Sequence, residues 1–127
     1  MARPVVHFEI GGRDIPALRD FYAKAFGWTI TDAGPDYALI EAVDGGLGGG
    51  LMRARDEVPP YVTVYVQVDD LDTALKEIAR LGGTTLVPPM AINESASFAM
   101  FSDPEGNVVG LLRATGPIAD RPASGEG

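Results

Sequence analysis

An internal repeat constrains the fold of this chain more than any other feature of its sequence. Adding 56 to a residue number takes Asp14 onto Asp70, so both helix starts have the same N-cap residue. Adding 60 takes the segment GLMRA, residues 50–54, onto GLLRA, residues 110–114. The offset changes because the loops of the second half are longer. A repeat of this length indicates that one supersecondary unit occurs twice along the chain.

Within each half, alternating polar and apolar residues predict strands, and apolar residues at helical spacing predict one helix. The expected strands cover about residues 4–10, 28–32, 37–42 and 50–53 in the first half, and 61–68, 84–87, 97–101 and 107–113 in the second. Asp14 and Asp70 are the expected N-caps, and Gly27 is the expected stop of the first helix. The predicted fold class is therefore α+β, with two βαβββ modules at about residues 4–57 and 61–114.

Composition limits the class of protein and its partners. Residues 1–114 are expected to form a single domain, and the Pro-, Gly- and Ser-rich residues 115–127 are expected to be disordered. The chain has no cysteine, and no apolar run reaches the roughly 20 residues of a membrane span. Its net charge of −8 disfavours nucleic acid and favours a cationic small molecule. We therefore expect a cytoplasmic protein with a small-molecule ligand and no membrane partner.

The only histidine of the chain, His7, lies in the first predicted strand, and Glu9 shares its face two residues on. An imidazole beside a carboxylate is suited to orienting a substrate or transferring a proton. A packed or solvent-facing pair is the alternative, and the sequence leaves both open. In the second half, Thr63, Tyr65 and Gln67 form the corresponding polar face.

Three other motifs are interpreted as structural. The glycine-rich GGLGGG, residues 45–50, lacks the Lys-Ser/Thr ending of a phosphate-binding loop and leads into a strand, so it predicts a hairpin. DPEG, residues 103–106, has the residue types of a type I turn. Phe21, Tyr22 and Phe26 are expected to pack between the first helix and the sheet.

Together with the duplicated βαβββ order, four motifs make the sequence resemble the vicinal oxygen chelate superfamily, which includes glyoxalase, bleomycin resistance protein and dioxygenase members. The motifs are VHFEI, FYAKAFGW, VDDLDTALKEIARLGG and FSDPEGNVVGLL. The likeness covers residues 4–114 and is nearest to small, mostly uncharacterised glyoxalase-related proteins. It implies a curved sheet, a cup formed by the two modules, and a homodimer.

In that superfamily, residues of the first and fourth strands of each module hold a metal. The matching positions in this sequence are His7, Gly50, Thr63 and Gly110. Only His7 keeps a side chain that commonly binds metal, whereas catalytic zinc typically needs about three protein ligands. We therefore expect no metal and no other cofactor.

The resemblance implies a metal-independent protein that binds or sequesters an apolar or cationic compound in the cup. The expected ligand-binding residues are His7, Glu9, Trp28, Met52, Thr63, Tyr65, Gln67, Phe98 and Met100. The alternative is an enzyme of the same superfamily. It would be a lyase or isomerase in which His7 and Glu9 transfer a proton, or a metal-dependent glyoxalase or dioxygenase. Whether the protein is an enzyme is open at this point.

Overall fold

The structure, a computed structural model, describes residues 2–114, and its elements follow the predicted order. The elements are β1 (Val5–Gly12), α1 (Ile15–Phe26), β2 (Ile30–Asp32), β3 (Tyr37–Ile40), β4 (Gly49–Arg53), β5 (Tyr61–Gln67), α2 (Leu71–Arg80), β6 (Thr84–Asn93), β7 (Ala96–Ser102) and β8 (Val108–Ala114). The α+β class and the duplicated βαβββ order are confirmed. The predicted disorder of residues 115–127 lies outside the described residues.

The described chain divides into two compact units. We call residues 7–62 the N-terminal unit, and residues 63–114 together with residues 2–6 the C-terminal unit. The strand order is β2-β3-β4-β1 in the N-terminal unit and β6-β7-β8-β5 in the C-terminal unit. In each unit the first strand of the module pairs in parallel with the last, and the remaining pairs are antiparallel. The two units therefore share one topology.

The register of the parallel pairs confirms both repeat offsets. Glu9 pairs with Gly50 in the N-terminal unit, and Tyr65 pairs with Gly110 in the C-terminal unit. Tyr65 follows Glu9 by 56 positions, and Gly110 follows Gly50 by 60. The sequence repeat is therefore a repeat of equivalent backbone positions.

Each unit buries a core between its helix and one face of its sheet. In the N-terminal unit this core contains Ile10, Ile15, Ala38, Ile40 and Leu51. In the C-terminal unit it contains Val68, Leu71, Leu75, Ala99 and Leu111. Because successive side chains of a strand point to opposite faces, the residues between these core positions point away from the helix. We call that second surface of each sheet its helix-free face.

Both helices begin as predicted. The Asp14 carboxylate accepts the backbone N–H of Ala17 at 3.0 Å, and Asp70 accepts that of Thr73 at 3.3 Å. Gly27 ends α1 in the left-handed region with φ of 73°, which a glycine adopts without the steric cost of a Cβ. No helix within residues 2–114 is long and apolar enough to span a membrane.

The first strand runs further than the sequence predicted. Gly11 and Gly12 were expected beyond its end, but they pair with Met52 and Arg53 in the parallel ladder. The aromatic ring of Tyr61 lies where a side chain at Gly11 would be, so glycine is required there for packing instead of for a turn.

β6 is also longer than predicted, because it continues through Pro88 and Pro89 to Asn93. It is the last strand in the order of its unit, so the missing N–H groups of these prolines break no ladder on its outer side. Register shifts between Val87 and Met90 accommodate the two prolines.

The predicted aromatic stripe of α1 is wrong in two of three residues. Tyr22 packs against the core, but Phe21 and Phe26 are 61% and 63% exposed. The stripe that contacts the core is Ile15, Leu18 and Tyr22. Phe21 lies beside that stripe, and Phe26 lies in the last turn of the helix.

Candidate functional site

The helix-free face of the N-terminal unit brings the two ionisable candidates of the sequence together. His7 and Glu9 are buried, with 5% and 7% of their surface exposed. Gly50 pairs with Glu9, so it lies on the same face. Charged and ring-nitrogen side chains are seldom buried without partners, and the partners here are tyrosines.

Tyr61 is the partner of Glu9. Its hydroxyl donates a hydrogen bond to Oε2 of Glu9 at 2.6 Å, the length of a strong bond to an ionised acceptor. The ring of Tyr61 rests over Gly11, where any Cβ would overlap it. The glycine therefore permits the close approach that this hydrogen bond needs.

Tyr37 is the partner of His7. The Tyr37 hydroxyl lies 3.0 Å from Nε2 of His7. A Cβ at Gly50 would overlap the hydroxyl end of the Tyr37 ring, so this tyrosine occupies the space that a side chain at position 50 would need. We call His7, Glu9, Tyr37 and Tyr61 the His7–Glu9 cluster.

The surroundings of Tyr61 fix its protonation. Burial raises the pKa of its phenol well above the ordinary value, and the negative charge of Glu9 and the hydrogen bond to Glu9 raise it further. Tyr61 is therefore a neutral hydrogen-bond donor at physiological pH. It presents a fixed O–H to the carboxylate.

The helix-free face of the C-terminal unit carries neutral groups. The buried Thr63 hydroxyl donates to the backbone carbonyl oxygen of Val108 at 2.7 Å. Tyr65 is buried, and its ring covers Gly110, the residue with which it pairs. Met100 also pairs with Gly110, and the other predicted residues of this face are Gln67 and Phe98. The structure therefore places all five predicted residues of this unit on one face.

The two remaining predicted ligand residues lie on different faces of the N-terminal unit. Met52 pairs with Tyr37, so it shares the face of the His7–Glu9 cluster. Trp28 packs on the helix side instead, with its ring centroid 5.8 Å from that of Phe8 and 5.4 Å from that of Tyr22. Trp28 is therefore not grouped with His7, and its contact with a ligand stays a prediction.

The residues at the four family metal positions do not fit a divalent ion. The hydroxyl of Thr63 is bonded to a backbone carbonyl, and Gly50 and Gly110 are covered by tyrosine rings that fill the space of a ligand side chain. His7 alone falls short of the about three protein ligands that a catalytic site provides. Within residues 2–114, no group of three or more His, Cys, Asp or Glu side chains is placed to hold a metal.

Sequence reasoning missed Tyr37 and Tyr61 as members of the site. Tyr61 lies two residues before Thr63 on β5, but its partner Glu9 lies 52 positions away along the chain. Gly50 could have indicated that an aromatic residue such as Tyr37 belongs to the site, because an aromatic ring from a neighbouring strand can cover a glycine inside a sheet. Choosing the covering ring requires the strand order.

Two relatives match most of the length of this chain at 27–31% identity. The chain is 31% identical over 124 residues to the anthracycline biosynthesis protein DnrV of Streptomyces peucetius, and the match covers 84% of this chain and 45% of that protein. It is 27% identical over 128 residues to a glyoxylase-like domain-containing protein of Didymella fabae, covering 88% of this chain and 98% of that protein. The chain thus spans about half the length of the Streptomyces relative.

Solved structures share the fold at low identity. A hypothetical protein from Bacillus halodurans C-125 has a TM-score of 0.70 at 15% identity, covering 91% of this chain and 97% of that one. Methylmalonyl-CoA epimerase from Mycobacterium tuberculosis has a TM-score of 0.66 at 15% identity, covering 91% of each chain. At this identity the likeness is one of fold. The family model of the Glyoxalase/Bleomycin resistance protein/Dioxygenase superfamily matches residues 5–111, and the chain belongs to that superfamily.

Proposed function

We propose that the protein binds and sequesters an apolar or cationic small molecule without using a metal, at the helix-free face of the N-terminal unit. The observation that carries the proposal is the position of Tyr37. Its ring occupies the space above Gly50, and its hydroxyl is bonded to His7. This arrangement replaces a metal-ligand side chain with an aromatic surface and leaves polar groups beside it. A mainly apolar surface with a few placed polar groups is typical of small-molecule sites.

The charge of this face supports a cationic group on the ligand. Glu9 brings a carboxylate to a position where only 7% of the residue is exposed, and the net charge of −8 favours the approach of cations. Met52 lies on the same face and is exposed, and a flexible thioether adapts to varied apolar shapes. A ligand with an apolar body and a basic nitrogen combines these features.

Several parts of the proposal extend beyond this face. Additional contacts from Thr63, Tyr65, Gln67, Phe98 and Met100, and from Trp28, stay predictions. A homodimer and a cytoplasmic location also belong to the proposal. Sedimentation velocity at several concentrations tests the dimer, and a single species with the mass of one chain at all concentrations contradicts it.

A thermal-shift screen of apolar amines and neutral aromatic compounds tests the proposed site. A compound at about 100 times its dissociation constant adds about 2.7 kcal/mol of stability. We expect Tyr61→Phe and His7→Ala to weaken or abolish the shift, because each removes a polar group of the His7–Glu9 cluster. Tyr22→Phe is the matched control, since it removes a phenolic hydroxyl on the helix side and should leave the thermal shift unchanged.

Two results would contradict the proposal. One is a set of binding compounds whose shifts are the same in wild type, Tyr61→Phe and His7→Ala. The other is a stoichiometric, tightly held transition metal found by elemental analysis of protein purified without added metal. The first rejects the site, and the second rejects metal independence.

An enzyme that transfers a proton is the second candidate, favoured by the position of the Glu9 carboxylate two residues from His7 on the same strand face. In this reading the Glu9 carboxylate takes a proton from an acidic C–H of the bound compound, the imidazole of His7 on the same face gives one to the resulting carbanion, and exchange with solvent restores both groups. Incubation of a binding compound with the protein in D₂O tests this step. Incorporation of deuterium into the compound, lost in Glu9→Gln, supports the enzyme. Absence of both exchange and turnover supports binding alone.

A further inference from the structure

A concave surface lies on the helix side of the N-terminal unit, away from the His7–Glu9 cluster. It is a groove of about 320 Å³, and its lining includes Phe8, Trp28, Ile40, Glu41, Val43 and Leu47. Phe8 follows His7 on β1, so their side chains point to opposite faces of the strand. The groove and the cluster are therefore separate sites.

The walls of the groove are apolar and accessible. Val43 and Leu47 are large apolar residues, yet they are 61% and 43% exposed. They belong to the glycine-rich turn, in which the N–H of Gly46 donates to the Val43 carbonyl at 2.7 Å and Gly45 has a φ of 80°. This turn holds two exposed apolar side chains beside an aromatic wall. Exposed apolar residues grouped at a concave surface are typical of binding sites.

Among residues 2–114, Glu41 is the one charged residue of this lining. Its backbone N–H donates to the Thr29 carbonyl at 3.0 Å, which anchors the residue beside the groove. The ion pairs within residues 2–114 involve other carboxylates, so the Glu41 side chain lacks a basic partner in this part of the chain. A carboxylate at an aromatic groove provides charge complementarity for a cation.

We propose that this groove binds a small organic cation that carries an apolar or aromatic group. The ammonium lies near Glu41, where aromatic rings add a favourable interaction with the positive charge. The apolar part packs against Val43 and Leu47. The volume is at the low end of the range of about 300–1,000 Å³ for ligand pockets, which favours a compact ligand.

Trp28 makes the proposal directly measurable, because it is the only tryptophan of the chain and it lines the groove. The probe is benzyltrimethylammonium chloride, titrated while the intrinsic tryptophan fluorescence is recorded. We expect a saturable change in wild type. Glu41→Gln should weaken binding about threefold to fivefold, the range of an exposed charge pair. Glu94→Gln is the matched control, since it removes the same charge from an exposed residue of the C-terminal unit and should leave the affinity unchanged.

Benzyl alcohol, titrated in the same way, is the neutral probe and should bind more weakly than the ammonium compound. The proposal is overturned by a fluorescence signal that does not saturate, by equal binding of benzyl alcohol, or by equal weakening in Glu41→Gln and Glu94→Gln. Tyr61→Phe should leave this binding unchanged. A result that rejects binding in the groove can therefore be distinguished from one that rejects binding at the His7–Glu9 cluster.

Discussion

In both units a tyrosine ring covers a glycine of the last strand, with Tyr37 over Gly50 in one and Tyr65 over Gly110 in the other. The first strands differ in chemistry. His7 lies within hydrogen-bond distance of a phenol, whereas the equivalent Thr63 gives its hydroxyl to a backbone carbonyl. The duplicated backbone is preserved, whereas the buried carboxylate and imidazole lie on the helix-free face of the N-terminal unit. The site chemistry therefore differs between two halves that share one topology.

The two glycine–tyrosine pairs also differ in how the ring is held. Tyr65 is the direct neighbour of Gly110 in the ladder, and one edge of its ring, with Cδ2 and Cγ at its base, covers the glycine. Tyr37 lies two residues before the β3 residue that pairs with Gly50. Only the hydroxyl end of the Tyr37 ring covers this glycine. The far end of a side chain moves more easily than its base. The C-terminal pair should therefore be the more rigid one.

The largest expected effect follows from this difference. Gly110→Ala should lower the free energy of unfolding by about 1–3 kcal/mol, because the new Cβ overlaps the buried ring of Tyr65. Gly50→Ala should cost about 1 kcal/mol or less, since the end of Tyr37 can swing away. Urea unfolding of both variants measures the difference. An equal loss in the two variants would show that the rings are held alike.

The hydrogen bonds of the two faces should also differ in strength. Tyr61→Phe removes the donor from the buried Glu9 carboxylate and should cost about 1–3 kcal/mol. Thr63→Val keeps the shape of the side chain and removes a neutral bond, so about 1 kcal/mol is expected. Urea unfolding of Tyr61→Phe and Thr63→Val measures which variant loses more free energy of unfolding. A larger loss in Thr63→Val would contradict the expectation that the bond to the Glu9 carboxylate is the stronger one.

The raised pKa of Tyr61 predicts a specific response to alkaline pH. Above the ordinary tyrosine pKa near 10, the unfolded chain loses this proton while the folded chain keeps it. The stabilisation that Tyr61 contributes is therefore fully present below pH 10, and it is lost as the pH rises toward the folded pKa. Tyr61→Phe should reduce the slope of the free energy of unfolding against pH. The reduction corresponds to the release of at most about one proton on unfolding.

Unfolding free energies measured between pH 9 and 11 give the slope for wild type and for Tyr61→Phe. Tyr22→Phe is the control for loss of one phenol. If Tyr61→Phe and wild type have the same slope, the phenol of Tyr61 ionises as readily in the folded chain as in the unfolded one. That result would remove the fixed hydrogen-bond donor from the proposed site.

The smallest effect concerns the helix of the N-terminal unit. Phe21→Ser should change the free energy of unfolding by no more than about 0.5 kcal/mol, because 61% of Phe21 is exposed. Tyr22→Ser should cost several times more, since Tyr22 packs against the core and stacks on Trp28. Melting temperatures of the two variants check the order. A cost for Phe21→Ser near that of Tyr22→Ser would restore the predicted aromatic stripe.

Local patterns predicted the elements well, but they failed where neighbouring strands decide the outcome. The alternation along residues 61–68 and the caps Asp14 and Asp70 are properties of adjacent residues, and the structure confirms them. The length of β1 through Gly11 depends on pairing with β4. The extension of β6 through two prolines depends on its place at the end of the strand order.

The sequence by itself determined the duplicated fold, through the repeat, and the residue types at the four positions matched to the family's metal ligands, of which only His7 commonly binds metal. It also singled out His7 and Glu9 as the ionisable pair of the site. Only the tertiary structure decided what those residues contact. Tyr37 and Tyr61 lie 30 and 52 positions from their partners, so the strand order and register bring them together. Packing against Phe8 and Tyr22 sets Trp28 on the helix side, and local sequence could not indicate this because Phe8 lies 20 positions away along the chain.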